Sequence, residues 1–428
     1  MVHITFTPSP DVALILHTLL DLYERRYIGP TDTAHKSIRC DLTSLALPGY
    51  HSQIDPLPRQ IANEQLQTLE QLGWLKLGWL PGETGHLLAS ITLVPEYTGS
   101  IFALAQRTPQ AAQRVRLIDL LLGERFRFTD WRLAVIQRTL DNLKAGRSAA
   151  PFSLTDHEFN RDLLIALAAL DNVQEETPYR VFSVRVFNDS KRFEAMLGAV
   201  CTLARRHQAD WHDWSNEALL RELNLTANPT HLYLHGAWRL IDEAGQVISL
   251  DGFEPSVGLA AAQAQHLRQA RVAADQIVCV ENQTTFYELI RHRSLSETPE
   301  SSQASFAAIC LWGNPSPACR QLLSSLPPET PLHVWADIDY GGLNILAQLR
   351  EQVNRRAQPY GMDIETLEAH ARWAQPLTSG DVRHLNRLLR RAALADMRPL
   401  IEHLLQRGLK LEQEAIMPEW VTEHMRLT

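Results

Sequence analysis

The chain has 428 residues, of which 45% are hydrophobic and 21% charged, and a formal net charge of −8. This balance suits a soluble globular protein of two to four domains, and no apolar run is long enough to span a membrane before a charge interrupts it. The acidic total excludes a broadly basic nucleic-acid binder, so any contact with DNA has to come from local patches. The opening MVHITFTPSP has no basic segment followed by an apolar one, so no secretory signal is expected. The five cysteines (Cys40, Cys201, Cys279, Cys310, Cys319) are scattered and show no C-x-x-C spacing. That argues against a disulfide framework or a zinc site and for a reducing cytoplasm.

Apolar residues at helical spacing predict a first helix over 11–26. A second helix is expected over 57–72, with Pro58 in its first turn and Gly73 as its stop. Residues 74–80 and 87–94, joined by the Gly-containing turn at 81–85, read as a β-hairpin. Helices followed by a hairpin are the order of a winged helix; a small structural α+β domain is the plainer reading. Residues 105–170 read as helical and rich in arginine, with acidic residues interspersed, which describes a solvated helical arm. Residues 145–151 read as a linker.

The segment 180–187 (RVFSVRVF) alternates and is rich in valine, which predicts a strand. Asn188, Asp189 and Ser190 would then cap a helix running from Lys191 to about Arg206. A helix and loop are expected over 208–228, and further strands at 231–234 and across 238–250 around Gly245. From about 259 the order is helix, strand, helix, strand, helix, strand, helix. The strands fall at 277–280, 306–311 and 332–338, and the helices include 284–293 and 343–356. Such alternation implies a parallel sheet with helices on both faces.

Carboxylates sit where a parallel sheet puts its ligands, beyond the carboxyl ends of strands. Glu281 follows the strand 277–280; Asp337 and Asp339 close the strand from 332 and, two apart, share a face. Gly341 and Gly342 allow a tight turn into the next helix. Three converging carboxylates raise one another's pKa unless a cation sits between them, and an oxygen-only set suits Mg²⁺ or Mn²⁺ over zinc. The plainer reading is two turn-forming aspartates and a glutamate that caps a helix.

The segments V-C-V-E-N-Q-T-T-F around Glu281 and W-A-D-I-D-Y-G-G-L around the aspartates resemble the Toprim domain of topoisomerases, primases and certain nucleases. More narrowly the chain resembles the JetD family, nuclease subunits of Wadjet plasmid-defence systems, related to the A subunit of topoisomerase VI. The F-N-D-S-K segment at 187–191, Met362-Asp363 with Thr366-Leu367, and K-L-E-Q-E-A-I at 410–416 extend the likeness over 176–428.

The residue pattern of the first 175 residues and the resemblance of the rest together imply a multidomain α/β plus α+β chain. Residues 1–100 would be a winged-helix-like DNA-binding domain, 101–175 a helical arm and 176–258 an α/β connecting region of the CAP-like kind. Residues 259–428 would be a Toprim domain, Rossmann-like with a mainly parallel sheet. The resemblance implies cleavage of closed circular duplex plasmid DNA with one or two Mg²⁺ or Mn²⁺ ions. The partners would be an SMC-type ATPase complex with kleisin-type subunits, and a second copy of the chain so that both strands are cut. Asp337 and Asp339 would hold the metal, and Glu281 would be a ligand or a general base. Glu412 and Glu414 would complete the metal shell or be solvated charges. Lys191, Lys410 and a stripe of Arg383, Arg387, Arg390 and Arg391 are candidates for DNA contact, a plain solvated face being the alternative for the stripe. Two other functions compete. One is a strand transferase attacking through a tyrosine, for which Tyr23 and Tyr27 are available but match no motif. The other is a non-catalytic winged-helix adaptor.

Overall fold

A computed structural model describes residues 6–27, 37–206, 211–212, 214–296 and 306–416. The chain divides into two compact units, Met1–Leu164 and Ile165–Thr428.

The first unit opens with α1 (Pro10–Tyr27), β1 (Ile38–Asp41), α2 (Leu57–Gln71), β2 (Leu75–Trp79) and β3 (Leu88–Leu93). The hairpin is present as expected; β1, which the sequence pattern did not reveal, pairs antiparallel with β3 to complete a sheet in the order β1-β3-β2. Gly73, at φ 77°, stops α2 as its position implied. The apolar stripe of α1 (Val12, Ile15, Leu16, Leu19) packs with Leu66 and Leu69 of α2 and with Ile91 and Leu93 of β3 in one core. Tyr50 fastens the hairpin to α2: its hydroxyl donates to Asn63 Oδ1 (2.9 Å) and accepts the Leu88 N–H (2.9 Å). The predicted helical arm follows as α3 (Thr98–Leu104), α4 (Gln110–Glu124), α5 (Trp131–Lys144) and α6 (His157–Ala169), across which the division between units falls.

The second unit begins with β4 (Thr177–Pro178), α7 (Tyr179–Phe187), α8 (Leu197–Arg205), α9 (Asn216–Glu222) and β5 (Leu225–Thr226). Here the strand expected at 180–187 is a helix. Its buried residues, Phe182 and Ser183, are adjacent, whereas Val181 and Val184 are 40% and 47% exposed; alternation would have buried 182 and 184 together. Asn188, expected to cap the helix that follows, ends α7 instead, in the left-handed region at φ 55°. The next helix is correspondingly shorter than 191–206.

Next come β6 (His231–His235), β7 (Trp238–Asp242), β8 (Val247–Ser249), β9 (Val257–Ala260), α10 (Ala261–Gln265) and β10 (Leu267–Val272). The last of these strands, inside a stretch expected to be helical, pairs with β7. Then follow β11 (Gln276–Val280), α11 (Gln283–Ser296), β12 (Phe306–Cys310), α12 (Pro317–Ser324), β13 (Leu332–Trp335), α13 (Tyr340–Gln352) and β14 (Gln358–Pro359). The unit closes with α14 (Ile364–Ala369), β15 (Gln375–Pro376), α15 (Ser379–Leu388), α16 (Arg398–Arg407) and β16 (Leu409–Lys410).

The central sheet runs β14-β13-β11-β12-β6-β9. Strands β14, β13, β11 and β12 are mutually parallel, and β6 and β9 add an antiparallel edge. Burial on both faces explains why β11 and β12 read as unbroken apolar runs. All five cysteines are buried free thiols. Among the described residues no helix is long and apolar enough to cross a membrane.

Candidate functional site: a carboxylate cluster at the ends of two parallel strands

β11 and β13 are paired neighbours in register, Val280 opposite Trp335, so the residues that leave their carboxyl ends emerge side by side. Glu281 is one of them. Its N–H continues the ladder to Trp335 O (3.0 Å), and its side-chain Oε2 accepts the Asp337 N–H (3.0 Å). It therefore bonds across to the other carboxylate loop and does not cap α11. Asp337 and Asp339 lie just beyond β13, not within it. Between them Ile338 is fully buried and bridges Leu411 in both directions, at 2.8 and 3.2 Å. This puts both aspartates on the side away from Ile338, as the two-residue spacing implied. Asp339 also caps α13, accepting the Gly342 N–H (3.0 Å), so the turn-former reading is true of one of its oxygens. Gly342 is required here: a Cβ on it would stand 2.1 Å from the Asp337 carbonyl oxygen.

The electrostatics are those of carboxylates crowded together away from water. Glu281 is pushed up to about 8, first by burial and then by the Asp337 charge, while the Asp337 N–H opposes the shift. Asp337 is pushed up to about 7 by burial and then by Asp339, against the Gln413 N–H. Asp339 is raised by burial and held back by Gly342 and by the nearby Lys410. Buried, mutually repelling carboxylates are the arrangement a hard divalent cation relieves, and the donors are all oxygen. Cys279, two residues from Glu281, offers no soft alternative, because burial pushes its thiol well above the usual range. Among the described residues, no three His, Cys, Asp or Glu side chains already stand in a metal-holding arrangement. The donor set thus fits Mg²⁺ or Mn²⁺ in kind, and a bound ion would have to draw the side chains inward.

The other candidates divide. Glu414 and Glu412 are exposed, yet the charge of Glu414 is felt by both Glu281 and Asp337, and that of Glu412 by Asp337. Glu412 accepts from Gln375 Nε2 (3.0 Å). Lys410 stands at the edge of the cluster, its Nζ 3.3 Å from Asp381. Lys191 lies exposed in the turn between α7 and α8, its own N–H bonded to Asp189 Oδ1 (2.8 Å). The arginine stripe does not persist. α15 ends at Leu388, so Arg390 and Arg391 leave the helical face that carries the exposed Arg383 and Arg387. Arg391 is engaged inward, bidentate to Glu351 (2.9 and 2.7 Å) and bonded to Asn344 Oδ1 (2.6 Å). The Tyr23 ring packs edge-on to Phe102 with centroids 6.2 Å apart; the Tyr27 side chain lies outside the described residues.

Two residues escaped the sequence reading. Gln413, fully buried between the two exposed glutamates, donates its N–H to Asp337 Oδ1 (2.6 Å). Trp312, half-exposed in the loop after β12, is held at φ 57°, a conformation rare for a bulky side chain, and the next residue, Gly313, donates to Glu281 O (3.2 Å). Neither had a sequence signal: Gln413 sits in the polar run Glu412-Gln413-Glu414, and the alternation of buried and exposed residues there shows only in the structure.

A family model described as Wadjet protein JetD, C-terminal, matches residues 242–425, which include the whole carboxylate cluster. The Wadjet protein JetD of Bacillus cereus (strain Q1) is 23% identical over 376 residues, covering 86% of this chain and 88% of that protein. The likeness to JetD proteins of Wadjet systems thus extends well ahead of the C-terminal region.

Proposed function

We propose that this chain is a metal-dependent endonuclease of the Toprim type, acting in the cytoplasm as the cutting subunit of a Wadjet anti-plasmid system on closed circular duplex DNA. One observation carries the reading. Glu281, Asp337 and Asp339 leave two adjacent parallel strands and share a buried spot in which each resists ionisation. Perturbed groups gathered at the carboxyl end of a parallel sheet mark a functional site.

A divalent ion there would supply charge to polarise the scissile phosphate and to stabilise the leaving oxygen. The side chains prepare for it. Glu281, Asp337 and Asp339 each have one oxygen held by a backbone N–H, which fixes the carboxylates before any ion arrives. Glu281, pushed up to about 8, would give up its own proton when an ion binds the cluster, and would then accept a proton from the attacking water or serve as a further ligand. Lys410, beside Asp339, and the exposed Arg383 and Arg387 provide positive charge for the DNA backbone in the same unit. The first unit has the element order of a winged helix, but α2 carries one cation, Arg59, and exposes Leu57 and Ile61, a poor surface for phosphates. A homodimer would supply two sites for two strands, and an SMC-type ATPase with kleisin-type subunits would present the plasmid.

The test is plasmid nicking or linearisation with Mg²⁺ or Mn²⁺, abolished by EDTA and by Asp337→Ala or Asp339→Ala. Cutting that survives chelation overturns the metal mechanism. Protein covalently joined to DNA ends after denaturation would favour the tyrosine transferase instead.

A further inference from the structure

The sheet does not by itself fix the spacing of the carboxylates. The β11–β13 register ends at Val280 and Trp335, with one further bond from the Glu281 N–H to Trp335 O, and the two carboxylate side chains are carried on the loops just beyond. A single residue from a distant part of the chain spans these loops. The Gln413 side-chain Oε1 accepts the Asn282 N–H (3.1 Å), next to Glu281, and its Nε2 donates to Trp335 O (2.8 Å), two residues before Asp337. Its main-chain N–H donates to Asp337 Oδ1 (2.6 Å). We propose that Gln413 is a positioning residue for the nuclease centre: it sets the separation and orientation of the Glu281 and Asp337 carboxylates, and with them the ability of the site to hold a divalent ion. This inference rests on the nuclease reading above.

The side-chain requirement is narrow. A backbone N–H can only donate and a backbone carbonyl can only accept, so the group between Asn282 and Trp335 must do both, and this also fixes which way the amide points. Asparagine is a methylene too short to span the gap. Glutamate loses the donor and sets an oxygen against the Trp335 carbonyl. Methionine fills the space but takes the acceptor from the part-buried Asn282 N–H, while the Trp335 carbonyl keeps only the Glu281 N–H. The residue does not hang from a loose end, because Leu411, two positions earlier, is bridged to Ile338 in both directions. The neighbours that look more chemical, Glu412 and Glu414, are exposed, whereas Gln413 has no exposed surface at all.

Partners that orient metal-holding side chains are worth about 10- to 100-fold in metal affinity or activity. The experiment compares wild type, Gln413→Met and Gln413→Asn in the full chain, with Leu322→Ala as a control. Leu322 is fully buried in α12, a helix that packs on α10 and β10. Three quantities are read: Mn²⁺ affinity by calorimetry, kcat and KM for plasmid cleavage with Mn²⁺, and metal-free thermal melting. Gln413→Met is expected to bind Mn²⁺ about 10- to 100-fold more weakly and to lose kcat in proportion, with KM for DNA unchanged. Leu322→Ala is expected to melt lower and to hold Mn²⁺ as wild type does. Gln413→Asn keeps a buried amide, and gives the same answer should the methionine variant fail to fold. Wild-type Mn²⁺ affinity and kcat in either folded Gln413 variant would overturn the inference, as would an equal loss of affinity in Leu322→Ala. A wild-type chain that neither binds Mn²⁺ nor cuts DNA would overturn the nuclease reading itself, and the inference with it.

Discussion

Asp337→Asn should make the metal-free protein more stable while abolishing its cutting. The substitution keeps the shape of the side chain and an acceptor for the Gln413 N–H at 2.6 Å, and removes a buried charge. Asp337 is pushed from 3.8 to about 7, so the folded protein holds this proton more tightly than the unfolded chain does. Below pH 4 both states are protonated and the group contributes nothing. As pH rises from 4 toward 7 the unfolded chain releases its proton freely while the folded one resists, and stability is lost progressively, reaching a plateau above about 8. At about 1.4 kcal/mol per factor of ten in proton affinity, the full loss is about 4 kcal/mol. The asparagine amide must itself be buried, which reduces the expected gain to about 2–3 kcal/mol at pH 9. For a unit of this size that is about 5–10 °C in melting temperature. The assay is thermal melting in EDTA at pH 4, 7 and 9, repeated with Mg²⁺. The ion should raise the melting temperature of wild type and leave the variant nearly unmoved, because the ion binds the ionised cluster. An Asn variant that melts at or below wild type at pH 9 in chelator would refute the reasoning. So would a gain of equal size at pH 4 and 9, since that would be packing and not charge.

Gly342→Ala must move the Asp337 carbonyl, which would lie 2.1 Å from the new methyl group. A displacement of about 1 Å at such a site is expected to lower cleavage about 100-fold, with about 1–3 kcal/mol of stability lost; a variant cutting at the wild-type rate would show that the loop is not held. Arg383→Glu with Arg387→Glu should weaken DNA binding and flatten its salt dependence, measured by titration at several salt concentrations. Arg391→Ala should instead lower the melting temperature through the lost Glu351 and Asn344 contacts, with the salt dependence kept. Finally, an overall acidic chain should cut poorly without help: linear DNA should resist, and small circles should be cut once the ATPase complex and ATP are supplied. Equal, rapid cutting of both forms by the chain alone would point to a free-standing endonuclease.

The second unit is legible in the sequence wherever burial is two-sided. The runs Ile277–Val280 and Phe306–Cys310 are apolar without interruption because residues pointing to either face of these strands are buried, and the carboxyl end of the first run is enough to single out Glu281. Legibility fails where β-branched residues stand on a partly exposed helix. Val181, Val184 and Val186 make α7 look like a strand, and only Asn188, as an αL stop, hints otherwise. It fails again at Arg391, where a helical spacing runs three residues past the true end of α15. The partner that claims Arg391, Glu351, is 40 residues away in sequence and invisible to periodicity. The cluster itself is visible as three carboxylates in context; the Gln413 clamp, which spans 131 residues to Asn282 and 76 to Asp337, is not.

The buried cysteines give the protein a built-in record of its own openings. A thiol reacts as the thiolate, and burial pushes Cys310 up to about 11 and Cys319 up to about 12, with Cys40, Cys201 and Cys279 raised as well. An alkylating reagent at neutral pH therefore finds the folded chain silent, and each adduct it leaves is the signature of a moment when that neighbourhood came apart. Cys40 stands watch over the first unit alone. Cys279 and Cys310 lie on two paired strands of the central sheet, the first of which leads directly into Glu281, so their labelling rate, followed residue by residue, times the exposure of the sheet interior on which the site is built.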